Sequence, residues 1–248
     1  MSFKTLKKIV GIFGFKLIEK NLVKNEKLIG SNSILNTKFF LQKIFSSQNI
    51  QYLMQIGAND GIRFDELNHF IKNNNPKSIL IEPIKSYFDQ LLINYAGYKN
   101  VFLENSAIGD NNSVGYLYKV SNFYLEKYDE HILGINSFNK NHLIKHNVKS
   151  SHIEKEKVNF VTTEYLFKKY NITKLDLLVI DAEGYDGNIL INFLNNCDLK
   201  PIIIFEYIHI DYRVFKILIE KLNNKKFFYF KINENLICLP EDKINLIL

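Results

Sequence analysis

Three short apolar runs in this chain end in an acid: Ser78-Ile79-Leu80-Ile81-Glu82, Leu177-Leu178-Val179-Ile180-Asp181 and Ile202-Ile203-Ile204-Phe205-Glu206. A carboxylate at the carboxyl end of a buried strand opens into the ligand crevice of an α/β sheet rather than onto random surface. Leu177 to Ile180 is apolar on both faces, the mark of a central parallel strand, so Asp181 and Glu183 behind it are the acids best placed for chemistry. Carboxylates so held can orient a hydroxyl, remove its proton or grip the diol of a sugar.

A glycine loop, Gln55-Ile56-Gly57-Ala58-Asn59-Asp60-Gly61, follows the apolar run Ile50 to Met54. Gly57 lets the chain turn off the strand, and Gly61 is expected to let backbone approach a ligand at the start of the next helix. The spacing is G-x-x-x-G, with Asn59 where a dinucleotide fold wants the glycine that admits a pyrophosphate. This favours a nucleoside cofactor without one, and weighs against a nicotinamide-dependent oxidoreductase. Roughly twenty positions on, Glu82 stands where an acid accepts hydrogen bonds from a ribose.

The elements that position these groups alternate strand and helix from Ile50 onward. Helical faces follow at Phe64 to Asn73 and around Tyr87, Phe88, Leu91 and Leu92. The third strand, Asn100 to Asn105, runs into Ser106-Ala107-Ile108-Gly109-Asp110, where Ala107 and Ile108 can flank an adenine ring and backbone from Ser106 to Ile108 can read its edge. Residues 111–160 break the rhythm, as lids and substrate walls do. Acceptor binding is assigned there, around Asn136-Ser137-Phe138-Asn139, with Ser137 and the strand-end Glu206 as substrate contacts. His142 and His146 share a helical spacing, but no third ligand with metal spacing accompanies them, so no metal is expected. Val158 to Thr162 alternates as a strand, and Thr163 is expected to cap the helix after it. Near the end, Phe227 to Ile232 and Leu236 to Leu239 form a hairpin across Asn233-Glu234-Asn235.

Composition bounds the rest. With 248 residues, 46% of them hydrophobic and 23% charged, the chain has room for one large α/β domain and no sign of wholesale disorder. The net charge of +6 is spread along the chain rather than clustered, which argues against a nucleic-acid partner. Cys197 and Cys238 form no C-x-x-C pair, which suits a reducing cytoplasm. Residues 1–49 are assigned to a helical extension and 50–248 to the catalytic domain. Leu6, Ile9, Val10, Phe13, Leu17 and Ile18 recur at helical spacing opposite lysines. Such a helix can lie on an anionic membrane surface or pack on its own domain; its apolar stretch is too short to span a bilayer.

Taken together, Gln55 to Gly61, Ile81-Glu82-Pro83, Asn105 to Asp110, Ile180-Asp181-Ala182-Glu183-Gly184 and Pro201 to Glu206 resemble the FkbM-type family of S-adenosylmethionine-dependent methyltransferases. The resemblance covers about residues 50 to 240. It implies a doubly wound, Rossmann-like mixed sheet of seven strands in the order 3-2-1-4-5-7-6, the seventh antiparallel. It implies S-adenosyl-L-methionine as cofactor and O-methylation, often of a sugar hydroxyl in a glycan or of a natural product. By position, Gly57, Asn59, Asp60 and Gly61 would cradle the amino-acid part of the cofactor, Glu82 its ribose, and Ser106, Ala107 and Ile108 its adenine. Asp181 and Glu183 match the family's acidic pair, while Val179 and Asp186 replace the Lys and Glu of many members.

An alcohol attacks a sulfonium methyl poorly until its proton is leaving, so a base or orienting carboxylate is needed. Asp181 is the first candidate, with Glu183, Glu206 and His209 behind it. The reading from another class is an inactive scaffold held on a membrane surface by the N-terminal helix.

Overall fold

The computed structural model describes residues 36–246 apart from 64, 130, 131 and 133. The basic amphipathic helix expected before Asn36 lies outside the described residues, as does Phe64. In chain order the first half contains α1 (Thr37–Ser47), β1 (Tyr52–Ile56), α2 (Asn68–Asn74), β2 (Lys77–Ile81), α3 (Lys85–Asn94), β3 (Val101–Glu104), β4 (Ala107–Ile108) and β5 (Ser113–Val120). The second half contains α4 (Lys140–Lys145), β6 (Ile153–Val161), α5 (Thr163–Tyr170), β7 (Leu177–Ile180), α6 (Asp186–Asn196), β8 (Ile202–Glu206), α7 (Tyr212–Asn224), β9 (Phe227–Ile232) and β10 (Asn235–Pro240).

Among the described residues the main sheet has seven strands in the order β3-β2-β1-β7-β8-β10-β9. β10 runs antiparallel to both β8 and β9, and the remaining neighbours are parallel. This is the order implied by the family resemblance. The chain winds outward from β1 in one direction through β2 and β3, and in the other through β7 and β8, so the crevice at the strand tips opens between β1 and β7.

Side chains alternate across the sheet because successive residues of a strand face opposite ways. Met54, Ile56, Leu178, Ile180, Ile203 and Phe205 pack with Leu166 of α5, Phe193 of α6 and Leu218 of α7. Leu53, Leu177, Ile202 and Ile204 pack with Leu41 and Ile44 of α1, Ile71 of α2 and Leu91 of α3. Helices thus cover both faces, and each fully buried side chain of this size contributes roughly 1.5–3 kcal/mol. The compact unit begins at Thr37 rather than at residue 50, because the apolar stripe Phe40, Leu41 and Ile44 of α1 is buried in that core.

Val114 to Tyr118, which alternates as a strand does, lies in β5 of a second sheet, β4-β6-β5, with β4 parallel and β5 antiparallel to β6. β6 starts at Ile153, five residues before the expected strand, and pairs with β5 from Val120↔Ile153 to Ser113↔Phe160. Its first half, Glu154-Lys155-Glu156-Lys157, hides the strand pattern behind charge. The ions are used across the ladder: Lys119 Nζ lies 3.5 Å from Glu154 and 2.6 Å from Glu156. Between β5 and β6 a small satellite core of Val120, Ile135, Leu143 and Val148 holds α4 in place.

Two local expectations shift by one residue. Thr162, not Thr163, caps α5, its hydroxyl accepting the Tyr165 N–H at 3.1 Å, while Thr163 is buried. The β9–β10 turn is Asn233-Glu234, since Asn235 already pairs with Ile232. Asn233 adopts φ 51°, the left-handed conformation that tight hairpins demand.

Candidate functional site

The turn after β1 is fixed by its neighbours. The Gly57 and Ala58 N–H groups donate to the Ile81 carbonyl at 2.9 and 3.0 Å, and the Asp181 N–H donates to the Ile56 carbonyl at 2.9 Å. Gly57 has φ +84°, and a β-carbon there would stand 1.8 Å from the Asp181 carbonyl oxygen. Only glycine lets the tips of β1 and β7 come this close. Asn59 is also left-handed, at φ 49°, a conformation Asn tolerates better than other side chains. That is how Asn serves where a dinucleotide fold would have a glycine.

Glu82 points back into this bend. Its carboxylate accepts the Asn59 N–H at 2.9 Å and the Ile84 N–H at 2.7 Å. Burial, outweighing those two donors and reinforced by Glu156 and Asp181, pushes its carboxyl up to about 8. Between the bend, Glu82 and the tip of β7 lies a cavity that both strand-end acids, Glu82 and Asp181, line.

Of the residues expected to hold a cofactor, Gln55, Gly57, Asn59, Glu82, Ser106, Ala107 and Ile108 line this cavity. Asp60 and Gly61 do not. The Asp60 carboxylate accepts the Ile62 and Arg63 N–H groups at 2.9 and 2.8 Å and pairs with the Arg63 side chain. Burial acts to raise the Asp60 carboxyl, but these Arg63 and Ile62 contacts prevail and hold it below the usual range. Gly61, at φ +71°, is packed against α3, where a β-carbon would stand 2.5 Å from Leu91 and 2.6 Å from Tyr95. Both residues shape the loop from behind. The backbone of Ala107 and Ile108 is paired along one edge with Phe160 and Val161 of β6, which leaves the opposite edge and the side chains to the cavity.

Arg63 and Asp65 also line the cavity and were not expected, because the glycine pattern stops at Gly61. Gln55 donates to Asp65 at 3.3 Å, and burial pushes the Asp65 carboxyl up to about 6. The buried side-chain atoms Gln55 Oε1, Asp65 Oδ2, Ser106 Oγ and Asn136 Oδ1 have no hydrogen-bond partner, and all four belong to cavity-lining residues. Buried polar atoms are rarely left unpaired, and four of them on the residues of one cavity fit a polar ligand there. A nucleoside carrying an amino-acid tail, with ring nitrogens, ribose hydroxyls and an ammonium group, suits this donor and acceptor set.

On the other wall stand Asp181, Ala182, Glu183 and Phe138. Asp181 is surrounded by protein atoms, which raises its carboxyl, yet its surface stays exposed to the cavity. Burial first and then Asp181 push Glu183 up to about 8. Glu183 sits at φ 49°, a strained conformation for a residue that is neither Gly nor Asn and one that clusters at working sites. The turn is held by Asp186, fully buried, whose carboxylate accepts the Ala182 and Gly184 N–H groups at 3.2 and 3.1 Å. Burial and Asp181 push that carboxyl up to about 8. Asp186 is thus a positioning residue.

Ser137 and Glu206 lie behind the wall rather than on it. Ser137 is buried, and its hydroxyl donates to the Glu183 carbonyl at 3.4 Å; its neighbours Asn136 and Phe138 line the cavity. Burial, then Asp181, Glu183, Asp186 and Glu234, push Glu206 up to about 9. His209 lies 3.9 Å from Glu206, and His142 lies 3.4 Å from Glu183. Burial lowers both imidazoles.

The Methyltransferase FkbM domain family matches residues 55–230. Curated proteins give no match. Among solved structures, the chain is similar to Methyltransferase FkbM from Methylobacillus flagellatus KT, with TM-score 0.47 and 11% identity over 77% of this chain and 44% of that one. It is similar to precorrin-6y C5,15-methyltransferase from Geobacter metallireducens GS-15, with TM-score 0.39 and 11% identity over 83% of this chain and 89% of that one. It is also similar to Aeropyrum pernix fibrillarin, solved with natively bound S-adenosyl-L-methionine, with TM-score 0.38 and 11% identity over 76% of this chain and 65% of that one. The chain therefore spans less than half of the Methylobacillus protein's length. With the site built on the tips of β1, β2 and β7 and the family match covering well over half of its residues, this chain belongs to the FkbM methyltransferase family.

Proposed function

We propose that this protein is an S-adenosyl-L-methionine-dependent O-methyltransferase whose acceptor is a hydroxyl, carried by a sugar in a glycan or by a natural product. The observation that carries this reading is the set of unpaired buried polar atoms on residues that line the cavity between Glu82 and Asp181. The cofactor, when bound, supplies a methyl group on a positively charged sulfur. Glu82 would hold the ribose, Ala107 and Ile108 the faces of the adenine, and Arg63 with Gln55 the amino-acid end.

The chain's own chemistry lies at the β7 tip. Asp181 takes the acceptor proton, or orients the hydroxyl so that its lone pair faces the methyl carbon. A carboxyl of raised pKa is a stronger base than an ordinary one, which suits an alcohol proton. Phe138 packs at 4.6 Å from Tyr185 and 5.3 Å from Phe160, and this aromatic wall excludes water and offers a flat face to a sugar ring. Crowded carboxyls at Asp181, Glu183, Asp186 and Glu206 cannot all be charged at neutral pH, so a positive sulfur beside them is favoured.

The test is incubation of the full chain with labelled S-adenosyl-L-methionine and a glycan extract, with calorimetry against the same cofactor and NAD. Label in a hydroxyl ether and heat only with the first cofactor would support the proposal. Heat only with NAD, or label on nitrogen or carbon, would overturn it. The membrane contact of the N-terminal helix and a cytoplasmic location belong to the same proposal. No helix among the described residues is long and apolar enough to cross a membrane, and liposome flotation with and without residues 1–30 tests the surface contact.

A further inference from the structure

Behind the Glu183 wall three histidines from two distant segments meet. His142 and His146 are one turn apart at the end of α4, and His209 comes from the turn after β8. Their ring centroids lie 4.8 Å apart for His142–His146, 4.8 Å for His142–His209 and 5.3 Å for His146–His209. One ring nitrogen from each lies within 4.8 Å of the others, and a second such group joins Glu183, Glu206 and His209. The Glu183 carboxylate is 3.4 Å from His142 Nε2. Glu206 Oε2 is buried with no hydrogen-bond partner.

We propose that His142, His146 and His209, joined by the Glu183 carboxylate, bind one divalent transition-metal ion of the zinc type at the acceptor side of the methyl-transfer pocket. Three imidazoles and one carboxylate are a borderline N and O donor set, which suits zinc, cobalt, manganese or iron(II) better than magnesium or calcium. Zinc–nitrogen bonds of about 2.0–2.1 Å place tetrahedral donors roughly 3.3 Å apart. The three rings are half-buried, so side-chain rotation closes the remaining gap without disturbing the core. Glu206, 3.9 Å from His209, then stands as the carboxylate that orients a liganding imidazole, which gives its buried oxygen a purpose.

Glu183 stands 3.4 Å from His142 and also lines the cavity, so an ion held there touches the wall beside Asp181. With four protein ligands the ion has no open position; its effect would be to fix Glu183, and with it the turn that presents Asp181 to the acceptor. That role rests on the proposed methyl transfer; the ion site itself does not. Without an ion, the same side chains would be two separate acid–imidazole pairs, Glu183–His142 and Glu206–His209.

The experiment uses the tag-free full chain, stripped with a chelator and titrated with zinc by calorimetry and with cobalt by visible absorption. We expect one ion per chain and the absorption bands of four-coordinate cobalt. His209→Ala and His146→Ala should each weaken binding at least tenfold, with folding checked by circular dichroism, and His69→Ala should leave it unchanged. His146 is half-buried at a helix end, so its variant carries the test if His209→Ala fails to fold. No saturable binding, or equal binding by both histidine variants, would overturn the site. Ion binding without methyl transfer would remove the proposed function and leave the site standing; methyl transfer without ion binding would do the reverse.

Discussion

The carbonyl oxygen of Asp181 fills the space that a β-carbon on Gly57 would need, 1.8 Å from where that carbon would sit. One residue comes from the turn after β1 and the other from the tip of β7, so the catalytic candidate is placed by a missing side chain. Gly57→Ala must therefore push the two strand tips apart and hold Ala at positive φ. We expect a loss of at least about 2 kcal/mol in denaturant unfolding. Gly97→Ala is the comparison: φ is +89° there too, but nothing lies within 4 Å, so the cost should be about 1 kcal/mol. Equal losses would show that the strand-tip contact is unimportant.

Asp181→Asn keeps the shape of the β7 tip and removes its basicity. Turnover should fall by about 100-fold or more while cofactor affinity stays within a few fold. Single-turnover kinetics beside calorimetry separates the two, and retained turnover would remove Asp181 from the chemistry.

Glu82→Gln should act on binding instead. Above about pH 8, where Glu82 is ionised, a carboxylate that accepts two backbone N–H groups and two ribose hydroxyls loses charge-assisted bonds on becoming an amide, roughly 1.5–3 kcal/mol, or about 10- to 100-fold in affinity. Titration with S-adenosylhomocysteine measures this without turnover.

The pH dependence of stability has a definite sign. Burial pushes the carboxyls of Glu82 and Asp186 up to about 8 from ordinary values of 4.5 and 3.8. Between these limits the folded chain keeps protons that the unfolded chain has released, so stability falls as pH rises. The contribution is fully present below the ordinary carboxylate range and is lost as pH climbs through about 8. The thermal midpoint of the ligand-free protein should decline from about pH 5 to about pH 8, less steeply in Glu82→Gln. A flat profile would mean that both groups are already charged at neutral pH.

The central strands were legible because Leu177 to Ile180 and Ile202 to Phe205 are apolar on both faces, which few other structures explain. The strand order came with the family motifs, not with the apolar runs. Other features were illegible for specific physical reasons. Glu154 to Lys157 looks like solvated coil until Lys119 is set across from it. Arg63 and Asp65 follow the glycine pattern with no spacing rule to announce them. His209 meets His142 through tertiary folding alone, so a third imidazole was expected nowhere near the first two. Asp60, Gly61 and Ser137 carry the right residue types, but their side chains or glycine positions face the protein rather than the cavity.

The pairing of Val120 with Ile153 has a consequence for how such a protein can diversify. Opposed residues of an antiparallel ladder stand about 5 Å apart, so everything from 121 to 152 leaves and re-enters the domain at nearly one point. A segment of another length or chemistry can be spliced there while the cavity walls at Glu82, Ala107 and Ile108 keep their geometry. Acceptor preference would then evolve by exchange of a single cassette, leaving the donor half inherited intact.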